Sequence, residues 1–199
     1  MDPRSRRSRD RLTSAVLGFA SSGRLDDVTV SELSRTAGVT RDTFYRHASS
    51  VTELLTIALN ERLETDFAGY LSTFPPRSRL ADVLARSEGD LLRHIRSLGD
   101  VYRTALTGQN SGPIRRGLVR FLQNSLESAL REYPDLAPLP TDELDVRAGS
   151  MIAAYAAAGT VGAIEVWLGS GDLDDVDQAA RIIASGAPLW WSRATGRQS

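Results

Sequence analysis

Apolar residues recur every three or four positions along most of the chain, and no stretch alternates between apolar and polar residues for long. This spacing is typical of amphipathic helices, in which one side faces a core. Glycine and proline interrupt the pattern at short intervals. They divide the chain into predicted helices at residues 8–22, 30–37, 41–47, 51–72, 78–98, 100–107, 114–132, 142–168 and 175–195. The pattern therefore predicts an all-α protein of about nine helices.

Two short segments have the spacing of a capping box, in which a Ser or Thr and a Glu three residues later satisfy each other's backbone N–H groups. Thr29 and Glu32 form the first pair, and Ser50 and Glu53 form the second. Each pair precedes apolar residues with helical spacing. Both segments are therefore predicted to start helices.

The residues between these boxes predict a helix-turn-helix. Gly38 follows the first short helix, where a left-handed residue commonly ends a helix. Thr40 can cap the next helix, which is short and mostly polar, and Phe44 is its core residue. Two short helices around a glycine turn are typical of DNA-binding domains.

The full stretch reads Thr29-Val-Ser-Glu-Leu-Ser-Arg-Thr-Ala-Gly-Val-Thr-Arg-Asp-Thr-Phe-Tyr-Arg-His47, followed by Glu53-Leu-Leu. It resembles the DNA-binding signature of the TetR family of transcriptional regulators. The resemblance implies a helix-turn-helix DNA-binding domain at residues 1–50. It also implies a helical ligand-binding and dimerisation domain at residues 51–199.

Seven residues are candidates for contact with double-stranded operator DNA. Arg41 and Thr43 are the base-reading candidates, because Arg can bond bidentately to guanine and Thr can bond a base or touch a thymine methyl group. The resemblance implies phosphate contacts for Thr29, Thr40, Tyr45 and His47. Arg46 completes the set.

Simpler interpretations of these residues stay open. Tyr45 can pack against the first helix, and His47 can be favoured by the dipole at a helix end. Arg46 can be a solvated charge. Asp42, where the family often has a small residue, can favour the helix dipole, accept from cytosine N4 or repel non-cognate DNA.

The chain departs from the family pattern at two further positions. Ala48 replaces the usual aromatic residue, and Val51 replaces a basic residue that would contact phosphate. The arginines of the N-terminal segment, at positions 4, 6, 7 and 9, can compensate by reaching phosphates or the minor groove. A disordered solubilising leader is the alternative.

Charge is distributed unevenly. The 199 residues hold 24 arginines, no lysine and 25 acidic residues, for a net charge of −1. Residues 1–50 contain nine of the arginines and only six acidic residues. A positive module on a negative body is consistent with polyanion binding.

The same composition excludes much enzyme chemistry. Without cysteine there is no disulfide framework, thiolate zinc site or cysteine nucleophile, and without lysine there is no Walker A loop or Schiff base. His47 and His94 are the two histidines. We therefore predict a non-enzymatic protein without a metal or cofactor.

Location is inferred from the absence of targeting signals. No signal peptide is evident, and the longest uncharged stretch, Ala148–Ile164, has 17 residues rich in Ala and Gly. A buried helix fits this stretch better than a membrane span. The protein is expected to be cytoplasmic.

The last two helices are the predicted homodimer interface, because the resemblance implies that they pair with their two-fold mates. Small residues along them permit close helix approach, and aromatic residues can anchor the contact. The candidates are Ile152, Tyr155, Gly159, Ala163, Trp167, Ile182, Leu189 and Trp190. The alternative is that these stripes close the core of the monomer.

The resemblance further implies a small-molecule pocket among the middle helices. An apolar cavity with a few polar groups is the usual chemistry of such a pocket. The candidates are Phe67, Tyr70, Leu91, His94, Ile95, Tyr102, Arg103 and Phe121. Apolar residues at helical spacing also form ordinary cores, so that alternative stays open.

Together these features predict a homodimeric transcriptional regulator, a repressor that an unidentified small-molecule effector releases from its operator. The alternative is a helical ligand-binding or enzymatic protein with a degenerate DNA-binding head.

Overall fold

The computed structural model describes residues 3–67, 80–108, 111–132 and 143–186, with residues 134, 137 and 139 between the last two ranges. Within these ranges the chain forms nine α-helices and no β-strand, which confirms the predicted all-α fold. The helices are α1 (Pro3–Ser21), α2 (Val30–Thr36), α3 (Arg41–Tyr45), α4 (Val51–Asp66), α5 (Leu80–Ser97), α6 (Gly99–Thr107), α7 (Ser111–Glu132), α8 (Val146–Ser170) and α9 (Val176–Gly186).

The chain divides into two compact units. The first combines Met1–Asp66 with Leu98–Gly117, and the second combines Phe67–Ser97 with Leu118–Ser199. The first unit therefore contains α1 to α4, α6 and the beginning of α7. The predicted functional boundary at residue 50 remains a prediction.

The first unit is built around α1, which packs against α2, α4 and α6. Leu12 and Val16 of α1 are completely buried, as are Leu33 of α2 and Phe44 of α3. Because α2 and α3 are only seven and five residues long, their own hydrogen bonds cannot stabilise them in water. Their buried side chains hold them in place.

Side-chain caps and a glycine turn fix the ends of α2 and α3, as predicted. The N–H of Glu32 donates to Thr29 Oγ1 over 3.2 Å, and the N–H of Thr43 donates to Thr40 Oγ1 over 3.1 Å. Gly38 has φ +64°, and the following N–H, of Val39, donates back to the Ser34 carbonyl over 3.0 Å. This is the hydrogen-bond pattern of a Schellman motif.

In both predicted capping boxes the glutamate carboxylate does not accept from the backbone N–H of the capping residue, as a capping box would require. The Glu32 carboxylate bonds the Arg24 guanidinium over 2.9 Å rather than reaching back to Thr29. The Glu53 carboxylate accepts from the N–H of Ser49 over 2.6 Å, one residue before the predicted Ser50. In the first box, a nearby cation competes with the backbone N–H for the carboxylate.

Several helix limits also differ from the sequence predictions. The first helix begins at Pro3 rather than residue 8, so the arginine-rich segment is helical. The seventh begins at Ser111 rather than 114, because Pro113 lies in the first turn, where its missing N–H is not needed. The eighth begins at Val146 rather than 142, because the Asp145 carboxylate caps it by accepting from the N–H of Ala148 over 2.7 Å.

Two of the predicted helices extend beyond the described residues. The predicted fourth helix, 51–72, ends at Asp66, and residues 68–72 lie outside the described residues. The predicted ninth helix, 175–195, is described only to Gly186.

The second unit contains a close pairing of α5 with α9. Arg96 Nη2 lies 2.7 Å from Asp174 Oδ1, and Arg93 Nη2 lies 4.0 Å from Asp177 Oδ1, so ion pairs join the two segments at the surface. Leu92 and Ile95 of α5 are completely buried. The apolar face of α5 thus points into the unit, and its charged face pairs outside.

The first unit encloses the hydroxyl of Ser34, and this leads to a prediction about its removal. Ser34 is 2% exposed, and its hydroxyl forms no hydrogen bond with any described residue. Because an unpaired buried hydroxyl destabilises a fold, we expect Ser34→Ala to leave the free energy of unfolding unchanged or raise it by up to about 1 kcal/mol. Urea unfolding measures this change, with the exposed Ser31→Ala in the same helix as the control. A loss of stability larger than that of the control would contradict the assignment.

Candidate functional site

Six of the seven residues predicted to contact DNA lie in α3 or directly beside it. Phe44 points into the core and is fully buried, so α3 is anchored on one side only. Arg41 and Arg46 are exposed, and Tyr45 is 53% exposed. The helix therefore presents two cations and a phenol to solvent.

A chain of hydrogen bonds runs along this surface. The hydroxyls of Thr40 and Thr43 lie 2.9 Å apart, and Arg46 Nη2 donates to Thr43 Oγ1 over 3.0 Å. Arg46 Nε also lies 3.9 Å from the Asp42 carboxylate. Arg46 is thus held by neighbours on its own helix.

Asp42 lies in the first turn of α3, and its side chain is 89% exposed. This position favours the helix dipole. The pair that it forms with Arg46 adds little stability, because solvent screens an exposed ion pair.

Tyr45 is available for contact with a ligand. Its ring packs edge-on against Phe44, with centroids 5.5 Å apart and the planes at 86°. More than half of the side chain remains exposed. The phenol can therefore donate a hydrogen bond outside the protein.

His47 lies just beyond α3 and is half-buried. Burial lowers the pKa of its imidazole, and the nearby positive charges of Arg9 and Arg46 lower it further. A lowered pKa favours the neutral ring at neutral pH. Neutral imidazole still has one N–H to donate to an anion.

The first helix brings further positive charge beside the turn. Arg9 forms an ion pair with Glu61, and its charge acts on His47. A Cβ placed on Gly38 would lie 4.0 Å from Arg11 Nη1. Thr29, the remaining DNA candidate, is exposed and caps α2.

The two positions that depart from the family pattern are both apolar and buried. Ala48 and Val51 lie in the core of the first unit. Val51 therefore contributes packing at the start of α4 and offers no donor for a phosphate.

The second unit brings together three of the residues predicted to line a ligand pocket. The Phe67 ring lies 5.8 Å from the His94 ring and 6.1 Å from the Phe121 ring, centroid to centroid. Leu91 and Ile95, on the same helix as His94, are buried. This cluster is apolar with one polar ring.

Three further pocket candidates do not lie among the described residues of the second unit. Tyr102 and Arg103 belong to α6 in the first unit, and Tyr70 lies outside the described residues. Tyr102 is 1% exposed. Burial raises the pKa of its phenol above the usual range, and the charge of Asp66 raises it further. Ligand contact by any of these candidates remains a prediction.

Sequence reasoning missed Glu88 of α5. Its Oε2 atom is enclosed and has no hydrogen-bond partner among the described residues. Burial raises the pKa of this carboxyl to about 8. A signal was present, because Glu88 precedes Leu91, Leu92 and Ile95 by three, four and seven positions, which is the spacing of one helix face.

An apolar stripe on α8 is exposed in the single chain. Met151, Tyr155 and Val166 are each more than 60% exposed, and a Cβ added at Gly159 or Gly162 would meet no atom within 4 Å. These positions are three or four residues apart, so they lie on one side of the helix. Met151 is not among the interface residues predicted from the sequence.

The remaining predicted interface residues are divided by exposure. Ile182 of α9 is exposed, whereas Ile152, Ala163 and Trp167 are half-buried. Leu189 and Trp190 lie outside the described residues. Of the described helices, α8 is the one long and apolar enough for a membrane span, although the core helix of a soluble protein can meet the same criteria.

Several solved structures that are similar to this chain are regulators. The chain is similar to RolR in complex with resorcinol, at 19% identity over 100% of this chain and 97% of that one, with a TM-score of 0.63. It is similar to the fatty acid degradation regulator FadR from Bacillus halodurans, at 16% identity over 90% and 99% of the two chains, with a TM-score of 0.61.

A third similar structure is the R. erythropolis transcriptional repressor QsdR from the TetR family, at 16% identity over 96% of this chain and 98% of that one, with a TM-score of 0.60. No protein-family profile and no curated protein matches the sequence. The chain thus has the all-α fold of TetR-family transcriptional regulators.

The raised pKa of Glu88 predicts a pH-dependent stability. The folded state holds this proton more tightly than the unfolded state, in which the pKa is near 4.5, so stability decreases as the pH rises from about 4.5 to about 8. Glu88→Gln removes this titration. We expect the free energy of unfolding of the variant, relative to that of the wild type, to increase by roughly 1–3 kcal/mol when the pH is raised from 5 to 8.5. This is the usual range for a buried polar group without a partner.

Urea unfolding at both pH values measures the difference. The exposed Glu132→Gln in α7 is the matched control. Identical pH profiles for Glu88→Gln and the wild type would contradict the burial of this carboxyl.

Proposed function

We propose that this chain is a TetR-family transcriptional regulator that binds operator DNA as a cytoplasmic homodimer, represses transcription and leaves the operator when a small molecule binds. The observation that carries the proposal is the capped α2–turn–α3 segment, with an exposed polar surface on α3 and a buried Phe44 beneath it. The similarity in fold to transcriptional regulators supports it.

In the proposed complex α3 lies in the major groove. Arg41 and Thr43 read base edges, because their donors and the Thr methyl group match the groove's hydrogen-bond and methyl pattern. Thr29, Thr40, Tyr45, Arg46 and His47 hold phosphates. These phosphate contacts set position and affinity and carry no sequence information.

The helical N-terminal arginines add to this surface. Arg4, Arg6 and Arg7 are exposed on the first two turns of α1. Because Val51 supplies no phosphate contact, we infer that this segment contributes the missing positive charge. Its contribution would appear in the salt dependence of binding.

Dimerisation uses the stripe on α8 together with α9. Two recognition helices are needed to read two half-sites. The stripe combines large apolar side chains with glycines, and exposed apolar patches of this kind mark interaction sites. A second copy of the chain is the occupant that the proposed function requires.

The ligand acts through the second unit, where Phe67, His94 and Phe121 form an aromatic cluster. In the proposed mechanism the ligand favours a conformation in which the two DNA-binding heads do not fit the operator. By linkage, operator DNA then weakens ligand binding by the same factor.

The first test of the proposal is selective DNA binding. Genomic fragments retained by the protein are sequenced, and binding to the enriched fragment is measured by fluorescence anisotropy at several salt concentrations. We expect Arg41→Ala to weaken binding by about 1–3 kcal/mol and to relax the preference at one base pair. Tyr45→Phe should weaken all sequences alike, because it removes a phosphate donor.

The exposed Arg120→Ala in α7 of the second unit is the control and should bind like the wild type. If no fragment is enriched over random DNA, or if Arg41→Ala and Thr43→Ala both leave binding intact, the proposed DNA contacts are wrong. The first outcome would favour a ligand-binding protein with a degenerate head.

The second test is the oligomeric state. Tyr155→Glu and Val166→Glu each place a charge on the α8 stripe. We expect either change to convert a dimer of twice the 21.7 kDa chain mass into a monomer, because an unpaired charge is strongly unfavourable in an apolar interface. Light scattering after size-exclusion chromatography measures the mass. The exposed Asn124→Glu in α7 serves as control, and a dimer that survives both stripe variants would exclude this interface.

A further inference from the structure

Glu88 is an acidic residue on the helix face of α5 that is otherwise apolar. Leu91, Leu92 and Ile95 share that face and are at most 3% exposed. One carboxylate oxygen of Glu88 is enclosed, while the residue as a whole is half-buried. This oxygen is thus shielded from solvent.

The arginines of α5 do not serve as its partner. Arg93 pairs with Asp90 and Asp177, and Arg96 pairs with Asp174. Arg86 is exposed. Burial is the cause of the perturbed carboxyl pKa, with no neighbouring charge contributing.

An enclosed carboxyl oxygen without a donor destabilises the ligand-free protein. A leucine in the same place would continue the apolar face, so folding alone does not call for an acid here. Ionisable groups in such perturbing surroundings cluster at functional sites. Among the described residues this oxygen therefore lacks a donor, and a donor on a ligand would complete the arrangement.

We propose that Glu88 anchors the effector and that the effector is an organic cation, an amine or amidine carried on an apolar skeleton. This inference rests on the proposed function and names the class of ligand for its regulatory site. The cation donates to the enclosed oxygen of Glu88, and its skeleton packs among the apolar side chains of the second unit.

Charge supports a cation over an anion. The second unit contains eleven arginines and fourteen acidic residues, whereas the first contains thirteen and eleven. An anionic ligand would meet a like charge at Glu88 once that group ionised. A neutral donor could bond the same oxygen, but without the charge assistance that strengthens such a bond.

The test uses two matched pairs of probes, 4-phenylbutylamine with 4-phenylbutanol and benzylamine with benzyl alcohol. Each pair differs in the ammonium group and keeps the apolar skeleton. Isothermal titration calorimetry of the full chain should show that an amine binds at least roughly tenfold more tightly than its alcohol. Glu88→Gln should abolish this preference and leave alcohol binding unchanged, whereas Glu132→Gln should behave like the wild type.

Three results would overturn the inference. They are an amine that binds no better than its alcohol, an absence of amine binding up to the solubility limit, and an amine preference that persists in Glu88→Gln. Circular dichroism of the variants verifies that they are folded.

The same preparations separate this inference from the proposed function. If the selected DNA fragment binds the protein but the amine preference is absent, the ligand class is wrong and the regulator stands. If the amine binds through Glu88 but no fragment is enriched, the site stands and the regulatory role fails. Release of the fragment by the amine, lost in Glu88→Gln, would support both.

Discussion

The proposed DNA-reading surface depends on the burial of one aromatic ring. The helix that carries the surface has five residues, too few to persist by its own hydrogen bonds. Phe44 fixes this helix against the core, and the left-handed Gly38 and the Thr40 cap fix where it begins. The exposed residues around Phe44 therefore contribute little to the stability of this helix. Their side chains are available for contacts with a ligand.

The α2–turn–α3 segment was predictable because the residues that cap and end its helices act on near neighbours in the sequence. The Thr29 and Thr40 caps and the Gly38 turn each depend on residues within about four positions, and all three form as the sequence predicts. Where the sequence misled, a partner outside that range or a competing neighbour decided the outcome. Glu32 turns to Arg24, eight positions away, and Glu53 takes Ser49 instead of Ser50.

The candidate sites of the second unit were harder to predict because they depend on which side chains tertiary packing buries. The face to which Glu88 belongs can be read from helical spacing, but the loss of solvent around one of its oxygens cannot. The candidate pocket shows the same limit. Phe67, His94 and Phe121 do come together, whereas Tyr102 is buried in the first unit. The periodicity of apolar residues predicts which side chains are buried. It does not predict in which of the two units they are buried.

The bonded row on α3 has a consequence for the kinetics of recognition. Thr40, Thr43 and Arg46 already restrict one another's rotamers in the unbound chain. In the proposed complex, binding would exchange these internal bonds for bonds to DNA, with little further loss of side-chain entropy. Preorganisation of this kind slows dissociation from a matching site. On a mismatched DNA site these internal hydrogen bonds would be lost without replacement by bonds to DNA. The protein would then dissociate faster from the mismatched site than from the matching one, which would raise its selectivity.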